Sequence, residues 1–204
     1  MRALSGTLLL SLLLAACGGP SNTRYYSFPG VRDVDMARVG RMDKVIVVGP
    51  ITINESIDRP QLMIRRSDAQ IEIRENDLWA NSLEKEIQQL TIAGLGKLLG
   101  SDKVFPFPWT DGKGASYRVS PEVVEMSAMP GSEAILTIAW SIYNEKSDKQ
   151  LTLPTTHYRA PVSAGADLNA MVIIYQELLL RATRDLARRL INPAKTPVTK
   201  SPAG

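Results

Sequence analysis

Leu8 to Leu14 form an apolar run that follows a single basic residue, Arg2, and ends in Ala15-Ala16-Cys17. The run holds about ten apolar residues, far short of the roughly twenty that a membrane-spanning helix needs. It does not read as a core segment either. A basic start, a short apolar centre and small residues at the end are the build of a secretory signal peptide. No later stretch is long and apolar enough to span a bilayer. The globular fold is therefore expected in the chain after residue 16.

Leu14-Ala15-Ala16-Cys17 resembles the lipobox of bacterial lipoproteins, in which the cysteine is acylated and becomes the first residue of the mature protein. The thioether to the diacylglyceryl group needs a nucleophilic sulfur, which serine or alanine cannot supply. Cys17 is the only cysteine, so no disulfide can form within the chain, and the fold has to hold by packing alone. The residue reads as an anchor instead of a redox or metal group. Gly18 stands where the inner-membrane retention signal of many lipoproteins has aspartate, so the resemblance implies the periplasmic face of the outer membrane. Residues 17–23 have the small, polar composition of a tether. Six of them extended reach at most about 20 Å, which keeps the domain close to its membrane.

Residues 24–191 are long enough for one domain with a proper core. Apolar residues make up 44% of the chain and charged residues 22%, and the net charge of +3 is carried by interspersed acids and bases. Without a basic block, nothing points to nucleic acid. Arg24 to Phe28 reads as a first strand ended by Pro29-Gly30, and Val31 to Asp43 shows no strong period. Lys44 to Val48 is β-branched and apolar on both faces, as a central strand should be. Leu62 and Ile64 alternate with polar neighbours, as do Ile71 and Ile73, with Arg66 to Ala69 closing a hairpin. Asp77 is the expected N-cap of a helix from Leu78 to Leu99, with Gly100 just past its end. Phe105 to Trp109 is extended, because two prolines exclude helix. Tyr117 opens a strand whose phase switches near Val123-Val124, the mark of a bulge, and Met129 to Ser132 fits a type II turn. Ala134 to Ile142 is a strand, and Leu151 to Tyr158 another, interrupted by Pro154. Asp167 to Ile191 is a second helix, with Met171, Ile174, Tyr175, Leu178, Ala182 and Leu186 facing inward. Residues 192–204, rich in proline, lysine and small residues, are expected to be disordered. The order of elements implies an α+β fold, a largely antiparallel sheet with two long helices on one face.

His157 is the only histidine, which excludes histidine-based metal clusters and paired-histidine mechanisms. No serine sits in a nucleophile elbow, and no Walker or dinucleotide motif is present. Glu84 and Glu86 are two apart on a helix and diverge, so they read as a solvated face and not as an acid–base pair. The chain is expected not to be an enzyme and to need no cofactor or metal.

An ordered set of short motifs covers nearly the whole mature chain: Tyr25-Tyr26, Val48-Gly49-Pro50, Ile57-Asp58-Arg59-Pro60-Gln61, Trp79-Ala80 with Leu83, Pro108-Trp109, and Trp140 in an apolar strand. With the lipobox, this set resembles the ABC-type transport auxiliary lipoprotein family. Asn81-Ser82 departs from the more acidic or proline-containing pair usual there. The resemblance implies a lipid-anchored accessory subunit of an MCE-type intermembrane lipid transport system. Its partner would be the MCE-domain protein of a Pqi-like transporter, whose tunnel or needle it docks at the outer membrane, with a ring of several copies as a corollary. Two other readings stand beside it, a lipid carrier with its own cavity and a structural envelope lipoprotein.

The site candidates carry two readings each. Asp58-Arg59-Pro60, with Gln61, is either a turn whose carboxylate accepts local N–H groups and whose Arg59 pairs with a neighbour, or a partner contact. Trp79 is either core or binding site. Phe105 to Trp109, with Phe107 and Trp109 as candidates, either covers a sheet edge or forms a docking surface. The anchor is the most direct to test: Cys17→Ala should leave the fold intact and abolish anchoring. A Cys17→Ala chain that still fractionates with the outer membrane would overturn the assignment.

Overall fold

Ile46-Val47-Val48 is buried on both faces, as its composition requires, and the larger of two sheets is built around it. The computed structural model describes residues 22–32, 34–110 and 114–192. The expected signal segment, Cys17, most of the tether and the tail beyond residue 192 lie outside the described residues. In chain order the strands and helices are β1 (Arg24–Tyr26), β2 (Ile46–Val48), β3 (Thr52–Ile53), β4 (Gln61–Arg65), β5 (Ile71–Trp79), α1 (Leu83–Leu99), β6 (Val104–Pro106), β7 (Tyr117–Ala128), β8 (Glu133–Asn144), β9 (Lys149–Thr152), β10 (Thr156–Pro161) and α2 (Leu168–Ile191).

The larger sheet runs β10-β8-β7-β2-β6, with β3 also on β7 and β9 on β8. A smaller sheet, β1-β5-β4, holds the expected hairpin with the first strand beside it. Both helices pack on the larger sheet and against each other, α1 over β2 and β6, α2 over β8 and β10. The α+β class holds, but the sheets are mixed. β7, β8, β9 and β10 pair antiparallel, whereas β2 is parallel to both β6 and β7, β3 to β7, and β1 to β5. The return from β2 to β6 passes through α1, the crossover that parallel neighbours require.

Several local expectations hold. The register of β7 against β8 skips at Val124. Gly131 takes φ +80° in the turn after Met129, and Ser132 N–H donates to the Met129 carbonyl at 3.0 Å. Pro154 separates β9 from β10. Asp167 caps α2, its carboxylate accepting from Ala170 N–H at 2.8 Å. Gly100 ends α1 in the left-handed region.

The start of α1 is different. Ser82, not Asp77, is the N-cap, its hydroxyl accepting from Lys85 N–H at 3.3 Å. β5 runs on through Asp77 to Trp79 because that stretch pairs with β1 on one side and β4 on the other. The chain between residues 34 and 43, which shows no period, closes the other end of α1. Val39 and Met42 donate backbone N–H groups to the carbonyls of Leu98 and Leu99 at 2.8 and 3.2 Å, and Lys97 donates its ammonium to the Val31 and Val34 carbonyls. Carbonyls that a helix end leaves without partners are thereby satisfied.

Where α1 crosses α2, Gly94 lets the backbones approach: a Cβ there would lie 3.1 Å from Leu180 Cδ2 and from Thr183 Cγ2. Thr183 is held in place, being fully buried and donating its hydroxyl to the Leu179 carbonyl, and Leu180 is buried beside it. Gly94→Leu is expected to cost about 1–3 kcal/mol through overpacking, measurable as a lower urea midpoint with unchanged slope.

Candidate functional site

Asp77 is buried at 1% exposure in the smaller sheet, and three groups converge on it. Arg24 donates from Nε at 2.6 Å and from a terminal nitrogen at 3.0 Å. The Tyr26 hydroxyl donates at 3.1 Å and Arg74 Nε at 3.1 Å. Burial alone would raise the Asp77 pKa, but the donors from Arg24, Arg74 and Tyr26 together outweigh it and hold the carboxyl below its ordinary range. Arg74 also reaches Glu72 at 2.6 Å, and Glu72 pairs with Arg66 at the hairpin turn. One buried carboxylate thus locks β1 to the hairpin.

This cluster is not legible in the sequence, because Arg24, Arg74 and Asp77 come together only through strand pairing. Glu86 is not on the solvated face expected of it, because it satisfies buried donors. At 4% exposure it accepts from Phe28 N–H at 3.1 Å and from Asn81 Nδ2 at 2.8 Å. The Asn81-Ser82 departure therefore supplies both a ligand for Glu86 and the cap of α1.

The Ile57 to Gln61 segment is a turn leading into β4. Ile57 is buried at 9% exposure and Asp58 is exposed. Asn54, not Asp58, supplies the local acceptor: its side-chain oxygen accepts from Ser56 N–H at 3.0 Å and from the Ser56 hydroxyl at 2.8 Å. The expected pairing of Arg59 is absent among the described residues, and its Nε is buried without a hydrogen-bond partner. The Pro60 carbonyl accepts Trp79 N–H at 2.8 Å, and Gln61 stands opposite Leu78. Trp79 is core, 6% exposed, with its ring 5.4 Å from that of Phe28. Two motifs far apart in sequence are thus one structural unit.

Phe107 and Trp109 lie at the far edge of the larger sheet. Trp109 stacks on Phe105 with ring centroids 3.8 Å apart, while Phe107 is 42% exposed. Together with Val47, Thr110, Ala115 and Arg118 they line an open groove of about 570 Å³. The groove is rigidly supported. Phe107 N–H donates to the Val48 carbonyl at 2.9 Å, and Gln88 of α1 donates to the Val48 and Phe107 carbonyls at 3.0 and 3.3 Å. Gly49, at φ +119°, has no room for a side chain: a Cβ would meet Phe107 Cβ at 3.0 Å and Gln88 Nε2 at 3.2 Å. On the rim, Arg118 pairs with Glu145 at 3.2 Å and lies over the Tyr143 ring. The structure thus places Phe107 and Trp109 together and apart from the Asp58 to Trp79 unit. The groove offers apolar and aromatic contact with an ion-paired rim, the make-up of an interface core. His157 Nδ1 lies 2.9 Å from the Thr137 hydroxyl.

Residues 26–187 match the model of the ABC-type transport auxiliary lipoprotein component, and the chain belongs to that family. Among curated proteins it is similar to the intermembrane transport lipoprotein PqiC of Escherichia coli (strain K12), 25% identical over 92 residues. That match covers 45% of this chain and 49% of the relative, so the chain spans about half the length of the curated relatives it matches. Two solved structures share the fold. One is an uncharacterized protein, 15% identical with a TM-score of 0.66 over 83% of this chain and 99% of the other. The second is protein XCC0632 from Xanthomonas campestris, 11% identical with a TM-score of 0.64 over 82% and 94%.

The Asp77 cluster sets a pH dependence. Because its folded pKa is depressed, Asp77 contributes stability that is complete above its ordinary value near 4. That contribution is lost as pH falls through the lower folded value. Asp77→Asn is expected to cost about 1–2 kcal/mol at neutral pH, with the share of half-exposed Arg24 discounted for screening. Urea midpoints measured from pH 7 downward should fall for the wild type below pH ~4 and fall less for the variant.

Proposed function

We propose that this chain is a non-enzymatic, lipid-anchored periplasmic subunit of an MCE-type intermembrane lipid transport system. Anchored through Cys17 to the outer membrane, it docks the tunnel or needle of the MCE-domain partner there. Membership of the transport auxiliary lipoprotein family supports a role beside a transporter, and the likeness to an intermembrane transport lipoprotein supports the direction of that role.

The observation that carries the docking reading is the Phe107 groove. An aromatic side chain 42% exposed beside a buried strand, on a loop held by four backbone and side-chain hydrogen-bonding groups, is preorganised for contact. Little ordering entropy remains to be lost when a partner binds. Arg118 at the rim, already paired with Glu145, adds orientation at small desolvation cost. Several copies arranged around one needle would repeat this contact, which lets a modest groove hold a large partner by avidity.

Pull-down of the lipoprotein from detergent-solubilised envelopes is expected to recover an MCE-domain protein. Phe107→Asp, which alters an exposed side chain and should leave the fold unchanged, is expected to lower that recovery about tenfold or more. Recovery of no MCE protein by the wild type would sink the assignment. Undiminished recovery by the variant would move the docking surface elsewhere.

A further inference from the structure

Cross-strand partners point to the same side of a sheet, and the register of the smaller sheet therefore sorts its residues into two faces. Leu62 stands opposite Arg74 and Ile64 opposite Glu72. Leu62 and Ile64 are buried, which makes theirs the inner face. The outer face carries Met63 opposite Ile73, Arg65 opposite Ile71, and Tyr25 beside Leu78. Tyr25 is 67%, Ile71 50% and Ile73 39% exposed. Val124, the residue at the register skip in β7, is 40% exposed and lines a cleft of about 290 Å³ with Ile71, Met63 and Ile57. Among the described residues six large apolar side chains are exposed, and these four fall on one side of the molecule. Single exposed apolar residues need no explanation, but a cluster does.

The chain's own entry point indicates what covers this cluster. Asn22 and Ile73 line the same cleft of about 410 Å³, together with Arg24. Only five Cα steps separate Asn22 from Cys17, a reach of at most about 18 Å. An acylated Cys17 would hold this side of the domain against the bilayer at high effective concentration, where a weak apolar contact is enough to fix orientation. Glu72 and Arg74 fall on the inner face and pair with each other, and Arg24 pairs with buried Asp77, which leaves Arg65 beside Ile71 among the apolar groups of the outer face. The contact is therefore chiefly apolar.

We infer that the outer face of β1-β5-β4, with Ile71, Ile73, Tyr25 and Val124, rests on the phospholipid surface as a second, non-covalent membrane contact. The inference depends on the anchor reading of Cys17. It sets the molecule upright: Arg118 at the aromatic groove and Val124 at the membrane face are six residues apart on β7, about 20 Å along the strand.

The test uses the full-length protein purified from membranes and reconstituted in vesicles of phosphatidylethanolamine and phosphatidylglycerol. Acylation occupies the only native thiol, so Ile73→Cys provides a unique site for a polarity-sensitive fluorophore. Lys146→Cys, in the exposed turn after β8, serves as the control. The probe at 73 is expected to shift to the blue and to be quenched by spin-labelled lipid, and the probe at 146 to do neither. Ile71→Asp in the 73-labelled protein should abolish both effects. Equal, water-like emission at the two positions overturns the inference. A blue shift that spin-labelled lipid does not quench overturns it too, because a protein surface then covers the face. Intact mass is read separately: a chain without acyl groups refutes the anchor reading and with it the ground for this inference.

Discussion

The buried carboxylate of Asp77 is the constraint on which the smaller sheet depends. A charged group at 1% exposure is tolerable only with its oxygens fully engaged, and the partners are three residues from two strands: Arg24 and Tyr26 on β1, and Arg74 three residues upstream on β5. Strand β1 is three residues long and pairs on one side only. So short an edge strand has little pairing energy of its own. The ion cluster fixes its register, and the same pairing leads Ala80 N–H to the Tyr26 carbonyl and the chain into the capped start of α1. From there α1 positions Gln88, and Gln88 holds the aromatic loop. The cluster and the groove are thus linked by one rigid helix.

The family motifs turn out to be mostly scaffold. The Pro60 carbonyl and Trp79 N–H join the turn before β4 to the end of β5, and Gly49 makes room for Phe107. Among the candidates Asp58, Pro60 and Phe107 are exposed, Arg59, Gln61 and Trp109 are partly covered, and Trp79 is buried.

Much of this architecture was legible in the sequence. A doubly apolar Ile46 to Val48 had to be central, the phase switch near Val123-Val124 had to be a bulge, and Pro154 had to break a strand. Where the reading failed, pairing partners outvoted local pattern. Asp77 precedes an apolar stretch and has the chemistry of a cap, yet β1 pairs with it and β4 pairs with Leu78 beside it. Phe105 and Pro106 read as extended chain, and they form the edge strand β6, where a proline's missing ladder donor is tolerated. Pro121 sits inside β7 for a related reason, in the gap between the residues that pair with β2 and those that pair with β3. Parallel pairing was invisible throughout, since a period of two is the same for either direction. Of the candidate site, the aromatic segment could be found from composition, whereas its supports, Gly49 and Gln88, could not.

The position of Arg24 has a mechanical consequence. Any pull transmitted along the chain from upstream of Asn22 enters the folded part at β1, which runs parallel to β5. At that point stand Arg24, with its two hydrogen bonds to Asp77, and the three-residue ladder of β1 on β5. Under the anchoring proposed for Cys17, the salt cluster would be a clamp where the tether enters the fold, with α1 and the aromatic loop behind it.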